Sequence, residues 1–479
     1  MMEFQPTGLL IISLGILLLL SSLFTLLTEY KKVSKVNKLD KMINSSIEGL
    51  ADGKVGICVL DAEGNLIYAL NPDLKLIPAS NLKLFTGAAA LLLLGPNYAY
   101  ETKVYYAGTI KNGTLHGNLI VKGSGDPSLT YEDISKIAIT VSKMVKAIEG
   151  NIIVDENIFD QKYVESSWDI EDLQYYYAAR VSGLSVEKNV IRLVVYPGEK
   201  EREPARIELI PNTSYVKIIN MVRTVSGSDS NIQARKALME NRIVLNGEIG
   251  VYSESMEFIR AIEDPPLYFG TLLRELLALN GVVVKGQVKK GILPANAIEI
   301  MKIKSKPLSE LLRDMMKSSD NMMAEHLLKT LGAVQYGKGS FETGIKAVIS
   351  FLKEIGINSS LTMVDGSGLS HLNQVSPRTI AQLLQKMKEQ KYFEYFINSL
   401  PIAGVDGTLK KRMIGTPAEG KVFAKTGTLS GVSTLSGYIK TEKGEAVFSI
   451  MINSSTQAKE RKRIIDEICV KILDYFMDQ

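Results

Sequence analysis

Pro78-Ala79-Ser80-Asn81-Leu82-Lys83-Leu84-Phe85-Thr86-Gly87-Ala88-Ala89-Ala90-Leu91-Leu92-Leu93-Leu94 is the stretch on which the reading of this chain turns. Pro78 and Ser80 mark a helix start, and the Leu/Ala run behind them favours helix strongly. From Leu84 onward the segment is apolar on every side, which predicts a buried helix rather than an amphipathic surface one. Ser80 and Lys83 stand three residues apart and therefore share one helical face. A hydroxyl beside an amine at the positive end of a buried helix suits a nucleophile and its base. Alone the pattern is weak. Ser-x-x-Lys recurs at Ser185-Lys188, Ser214-Lys217 and Ser350-Lys353, and an ordinary N-cap followed by a solvated lysine explains it more simply.

Working outward, 479 residues with 23% charged and 46% hydrophobic side chains make a globular chain of two to four domains. A net charge of +4, without a dense basic tract beyond the N-terminal flank, excludes nucleic acid as the expected partner. Cys58 and Cys469 lie near opposite ends in apolar runs and read as core residues. The three histidines, His116, His326 and His371, form no His-Glu-x-x-His, so neither a metal nor another cofactor is expected. Gly8 to Leu27 is apolar, uncharged and about long enough to span a bilayer. With no basic start and no small-residue cleavage site, it reads as an uncleaved anchor, a cleaved signal being the alternative. Lys31, Lys32, Lys35, Lys38 and Lys41 follow it and would favour a cytoplasmic side. The chemistry below calls for the outer side.

Lys54–Leu60 and Asn65–Leu70 are apolar runs joined by Asp61-Ala62-Glu63-Gly64, a hairpin signal. Between about Asn97 and Ile298 short strand-like runs alternate with Gly, Pro and Asn, which predicts inserted β-rich domains, two of them nested. Trp168 and Tyr175-Tyr176-Tyr177 read there as packing residues. Helix returns at Pro307 in a Met-rich stripe, interrupted by Lys317-Ser318-Ser319-Asp320-Asn321; Ser319-x-Asn321 is the only Ser-x-Asn in the chain, and His326 reads as core. A strand then runs into Lys425-Thr426-Gly427, again a single copy, followed by strand-like Thr434–Ile439 and Ala446–Ile452 and a last helix, Gln457–Met477. Strands at both ends of the soluble chain predict one five-stranded antiparallel sheet with helices on its faces. The expected organisation is 1–30 anchor, 31–97 first part of the catalytic domain, 98–298 insertion and 299–479 second part.

Ser80-x-x-Lys83, Ser319-x-Asn321 and Lys425-Thr426-Gly427, in that order, are the three signatures of serine penicillin-recognising enzymes. With the long insertion, the chain resembles the D-alanyl-D-alanine carboxypeptidase/endopeptidase family typified by penicillin-binding protein 4, peptidase family S13. Gly123-Ser124-Gly125-Asp126-Pro127, Trp168 with Asp172 and Tyr177, Ala324-Glu325, Asp365-Gly366-Ser367-Gly368-Leu369-Ser370 and Asp406-Gly407-Thr408-Leu409 add to the likeness. The resemblance implies a penicillin-binding transpeptidase/β-lactamase-like α/β fold and hydrolysis of peptidoglycan stem peptides ending in D-Ala-D-Ala. β-Lactams would be inhibitors, and the catalytic domain would lie outside a membrane held by the N-terminal segment. It implies Ser80 as nucleophile, Lys83 as its base, Ser319 as proton relay and Asn321 as a bond to the substrate carbonyl. Lys425, Thr426 and Thr428 would hold the terminal carboxylate, and the backbone N–H groups of Ser80 and Thr428 the oxyanion. Gly427 belongs to the motif, and Leu429 and Ser430 would line the side-chain pocket.

Three rival readings make different predictions. A serine β-lactamase shares the motifs but does not normally carry such an insert, and no efficient deacylating base is identifiable. A Ser-His-Asp hydrolase is disfavoured because Gly-x-Ser-x-Gly is absent. An inactive wall-binding scaffold would have no need of Lys83 or Asn321.

Overall fold

The computed structural model describes Ser21 and residues 39–50, 52–358 and 361–477. The apolar run 8–27 lies outside the described residues apart from Ser21, and among those described no helix is long and apolar enough to cross a membrane. The first strands are β1 (Lys54–Leu60) and β2 (Leu66–Leu70), and near the C-terminus come β3 (Val422–Leu429), β4 (Val432–Thr441) and β5 (Gly444–Asn453). They form one antiparallel sheet in the order β3-β4-β5-β1-β2, the five-stranded sheet that the pattern predicts. β1 pairs with β5 from Lys54 opposite Asn453 to Leu60 opposite Val447, so the two ends of the chain meet at the centre of the sheet.

Side chains of β1 alternate between two cores, as a strand covered on both faces must. Val55, Ile57 and Val59 join a cluster with the terminal helix Ala458–Met477 and with Leu39 and Ile43 of a helical segment, 39–47. Cys58 and Leu60 join the opposite cluster, built on helices α1 (Lys83–Leu94), α2 (Leu308–Ser318), α3 (Asn321–Tyr336), α4 (Phe341–Glu354) and α5 (Pro377–Lys388). Both cysteines are free and buried, in keeping with their expected role as core residues. α1 is the central helix of its layer and is buried from Lys83 to Leu91. It packs so closely on α2 that a Cβ on Gly87 would lie 2.5 Å from Met316 Cε. The start of this element differs from the simple helix that the sequence suggests. Ala79–Leu82 form a 3₁₀ turn, α1 begins at Lys83, and neither N-terminus has a side-chain cap. Ser80 is therefore not spent as an N-cap.

Between α1 and α2 the chain builds three further sheets. A seven-stranded one contains the long hairpin Glu101–Lys111/Thr114–Lys122 and packs on helices Tyr131–Met144 and Pro265–Leu279. Two three-stranded ones hold Val190–Tyr196, Arg206–Ile210 and Met256–Ala261, and Lys217–Val225, Ser230–Lys236 and Arg242–Gly250. They share a hydrophobic core of their own. Ile298–Lys304 pairs with Glu101–Lys111, so the chain leaves this region after Lys304. Trp168, Ala178 and Val181, by contrast, join the α1 cluster. The segment carrying them lies against the helical layer of the five-stranded sheet.

Candidate active site

Three elements converge on Ser80. The first is the 3₁₀ turn itself, in which Ala79 has a left-handed φ of 47° that a residue with a Cβ adopts only under strain. Asn81 ties the turn to β3: its Nδ2 donates to the Lys425 carbonyl at 2.7 Å, and its Oδ1 accepts from Ser436 Oγ at 2.7 Å. Thr434 Oγ1 donates to the Pro78 carbonyl at 2.9 Å. The second is the α2–α3 junction, where Ser319 stands in the left-handed region (φ 60°) and Asp320 caps α3 by accepting from the Met323 N–H at 3.0 Å. The third is β3, which brings Lys425, Thr426, Gly427, Thr428 and Leu429 along the turn, with Ser430 just beyond its end. Gly427 permits the approach, since a Cβ there would lie 2.2 Å from Thr434 Oγ1 and 2.7 Å from the Pro78 carbonyl oxygen.

Lys83 is fully buried, and its Nζ has three partners: Ser80 Oγ at 2.9 Å, Asn321 Oδ1 at 2.6 Å and the Ser367 carbonyl at 2.9 Å. The last two can only accept. A neutral amine has two N–H groups to give them and keeps its lone pair for the Ser80 hydroxyl. Burial pushes the Lys83 amine down to about 8, against the opposing pull of Glu325, Asp365 and Asp320. Burial, and then the charge of Lys83, hold Lys425 well below the usual lysine range. Lys425 Nζ donates to Ser319 Oγ and to the Thr426 carbonyl, both at 2.8 Å, and Thr426 Oγ1 donates to Thr408 Oγ1 at 2.7 Å. Asn321 Nδ2 donates to the Tyr177 carbonyl at 2.8 Å, which fixes the side on which its oxygen faces Lys83.

Behind Lys83 lie two buried carboxyl groups. Glu325 accepts the Gly366 and Ser367 N–H groups at 2.7 and 2.8 Å. Asp365 accepts from the Gly368 and Ser370 N–H groups, Trp168 Nε1 and Asn373 Nδ2 within 3.0 Å. Together they clamp the loop whose Ser367 carbonyl holds Lys83. Burial raises both, Glu325 to about 8 with the charge of Asp365 adding to the effect.

The cleft above Ser80 encloses about 990 Å³. Of the ten residues expected from sequence, Ser80, Ser319, Asn321, Thr428, Leu429 and Ser430 line it. Lys83, Lys425 and Thr426 are buried at its base through the bonds above, and Gly427 sits against the turn. Sequence reasoning assigned no role to Asn81, Glu325, Thr408 or Ser367. The visible signal for Glu325 was a lone acid in an otherwise apolar helical stretch. Tyr177 also departs from expectation: it forms cleft wall, with its hydroxyl donating to Asp172 at 2.7 Å. Trp168 packs as expected, and its indole also donates to a buried acid. His326 is a core histidine, with Nδ1–H donating to the Met322 carbonyl at 2.9 Å and Nε2 3.0 Å from Ser185 Oγ. Among the described residues no group of His, Cys, Asp and Glu could hold a metal ion.

Residues 35–472 match the family D-Ala-D-Ala carboxypeptidase 3 (S13). The D-alanyl-D-alanine carboxypeptidase of Actinomadura sp. (strain R39) is 34% identical over 462 residues, covering 92% of this chain and 86% of that protein. D-alanyl-D-alanine carboxypeptidase DacB of Haemophilus influenzae is 29% identical over 401 residues, 82% of this chain and 84% of that protein. Among solved structures, penicillin binding protein 4 from Haemophilus influenzae matches with a TM-score of 0.81 at 26% identity, over 90% of this chain and 99% of that one. Its complex with a novel β-lactam matches with a TM-score of 0.75 at 25% identity, with the same coverage.

Proposed function

This chain belongs to the D-Ala-D-Ala carboxypeptidase 3 (S13) family, and from that premise we propose how its own residues carry out the serine-peptidase reaction on peptidoglycan stem peptides. Ser80 attacks the carbonyl of the penultimate D-alanine while Lys83, as neutral amine, takes the hydroxyl proton. The proton passes by way of Ser319 to the departing amine, D-alanine leaves, and the peptide remains as an ester on Ser80. Water, deprotonated by the same lysine, then releases the shortened peptide. Asn321 holds Lys83 and offers its remaining N–H to the substrate carbonyl. Lys425, Thr426 and Thr428 bind the terminal carboxylate; that anion restores the ammonium form of Lys425, which burial otherwise disfavours. The N–H groups of Ser80 and Thr428 take the oxyanion, an interaction worth roughly 3–4 kcal/mol elsewhere. Gly427 lets the strand close on the turn, and Leu429 and Ser430 line the side-chain pocket.

One observation carries this reading. Lys83 Nζ lies 2.9 Å from Ser80 Oγ while its other two partners are pure acceptors. We further propose 31–97 and 305–479 as the catalytic domain and 98–304 as the insertion, its end moved on from the expected 298 on the strength of the strand pairing at 298–304. A single membrane anchor at Gly8 to Leu27 is proposed from its apolar length alone, with the catalytic domain on the outer side. The test is release of D-alanine from an acetylated peptide ending in D-Ala-D-Ala. Wild type is expected to release it and Ser80→Ala to release none, and penicillin should leave the ester slowly. Rapid penicillin turnover without D-alanine release would favour the β-lactamase, and neither reaction the inactive scaffold.

A further inference from the structure

Glu187, Lys188 and Asn189 of the insertion are three consecutive non-glycine residues in the left-handed region, with φ of 48°, 54° and 55°. A Cβ disfavours even one such residue, and of these three types only Asn adopts the conformation readily. A turn of this kind persists where its surroundings fix it, and such turns cluster at functional sites. Here the fixing bonds are plain. Asn189 is buried; its Oδ1 accepts the Val186 N–H at 3.2 Å, and its Nδ2 donates to the Arg180 carbonyl and to Ser185 Oγ, both at 2.8 Å. Glu187 accepts the Tyr131 N–H at 2.7 Å. Lys188 alone of the three lines the cleft.

The turn presents Lys188 to Asp320. Lys188 Nζ donates to Asp320 Oδ2 at 2.7 Å, while Oδ1 of the same carboxylate accepts the Met323 N–H and caps α3. Asp320 stands between Ser319 and Asn321. The insertion holds Asn321 as well, because its Nδ2 donates to the Tyr177 carbonyl. Ser185 meets His326 a turn further along α3. Ser185 and Lys188, one of the spare Ser-x-x-Lys pairs of the sequence, therefore both grip the start of the helix that carries Asn321.

We propose that Lys188 is a positioning residue for acyl transfer: it fixes the carboxylate that carries Ser319 and Asn321, and its cation offsets the negative charge of Asp320 near Lys83. The inference rests on the reading of Ser80 as nucleophile and Lys83 as its base. Asp320 is one of three acids that favour the ammonium form of Lys83, with Glu325 and Asp365, while Lys425 faces the same amine as a second cation. Lys188 itself faces Asp314 of α2 and Glu187 of its own turn besides Asp320. Without Lys188 the charge of Asp320 acts on Lys83 unopposed, and less of the amine is neutral at a given pH.

The test is the pH profile of acylation of the full chain by penicillin, wild type against Lys188→Met, Lys188→Arg and Lys188→Gly. In Lys188→Met the rising limb should move up by about half a unit, the scale of one partly exposed charge, which slows acylation below the limb about threefold. Lys188→Arg keeps the cation and should restore the wild-type limb. Lys188→Gly separates positioning from stability, since glycine relieves the left-handed backbone. Its thermal midpoint should equal or exceed that of wild type while its acylation shows the defect of Lys188→Met. With peptides ending in D-Ala-D-Ala the loss should fall on kcat and not on KM, because Lys188 holds the junction rather than the substrate. A wild-type limb in Lys188→Met and Lys188→Gly, a defect confined to KM, or one that Lys188→Arg leaves uncorrected would overturn the assignment. Wild type that takes up no penicillin would remove the reading of Ser80, and the role of Lys188 with it.

Discussion

In the mechanism proposed above, Lys83 sets the pH at which Ser80 can react. Only the neutral amine accepts the hydroxyl proton, and burial brings the amine down to about 8. Acylation by penicillin should therefore rise with pH through a limb near 8, whereas an unperturbed lysine would place it above 10. Glu325 opposes the shift while ionised, so Glu325→Gln should move the limb to lower pH. The same variant turns one carboxylate oxygen into an N–H₂ facing the Gly366 or Ser367 N–H, which should cost about 1–3 kcal/mol of stability. Stopped-flow acylation across pH and a denaturant titration check both. Ser80 and Lys83 were legible in the sequence because i, i+3 spacing on an apolar helix is a local fact. Glu325 meets Lys83 through the Asp365–Ser370 loop, 40 and more residues further on, and no local pattern encodes that meeting.

At the scale of elements, the site depends on how closely β3 lies on the 3₁₀ turn. Gly427→Ala would place a Cβ 2.2 Å from Thr434 Oγ1 and 2.7 Å from the Pro78 carbonyl, so strand and turn must separate. Displacing reacting groups by about 1 Å costs on the order of 100-fold in rate. Acylation should fall by about that factor, while the thermal midpoint drops only as much as 1–3 kcal/mol of overpacking allows. A midpoint unchanged together with full acylation would mean that the approach is looser than the structure has it. The sheet itself was readable, since two strands before α1 and three near the C-terminus are alternating or continuous apolar runs. The 3₁₀ turn was not. Pro78 and Ser80 look like an ordinary helix start, and the twist at Ala79 is imposed by bonds from Asn81 and Thr434 to partners distant in sequence.

Across the whole molecule, the insertion and the catalytic part are joined at His326, whose Nε2 meets Ser185 of the insertion. Burial pushes this imidazole down to about 4. The unfolded chain takes up that proton below about 6.5 and the folded one only near 4, so folding stability should fall as pH drops through this window, by roughly 3 kcal/mol in all. His326→Asn should flatten this part of a pH series of thermal midpoints. The insertion was visible in the sequence as a change from helical to strand-like patterning. Its contribution to the cleft through Tyr177 was not, because an aromatic residue in a loop reads as packing until its neighbours are known. All of this converges on one hydroxyl. The most direct test is mass spectrometry of the chain from about residue 38 onward, after incubation with a labelled penicillin. A stable adduct on Ser80 that is absent from Ser80→Ala is the expected result. A folded protein that takes up no label, or takes it up on another serine, would contradict the account.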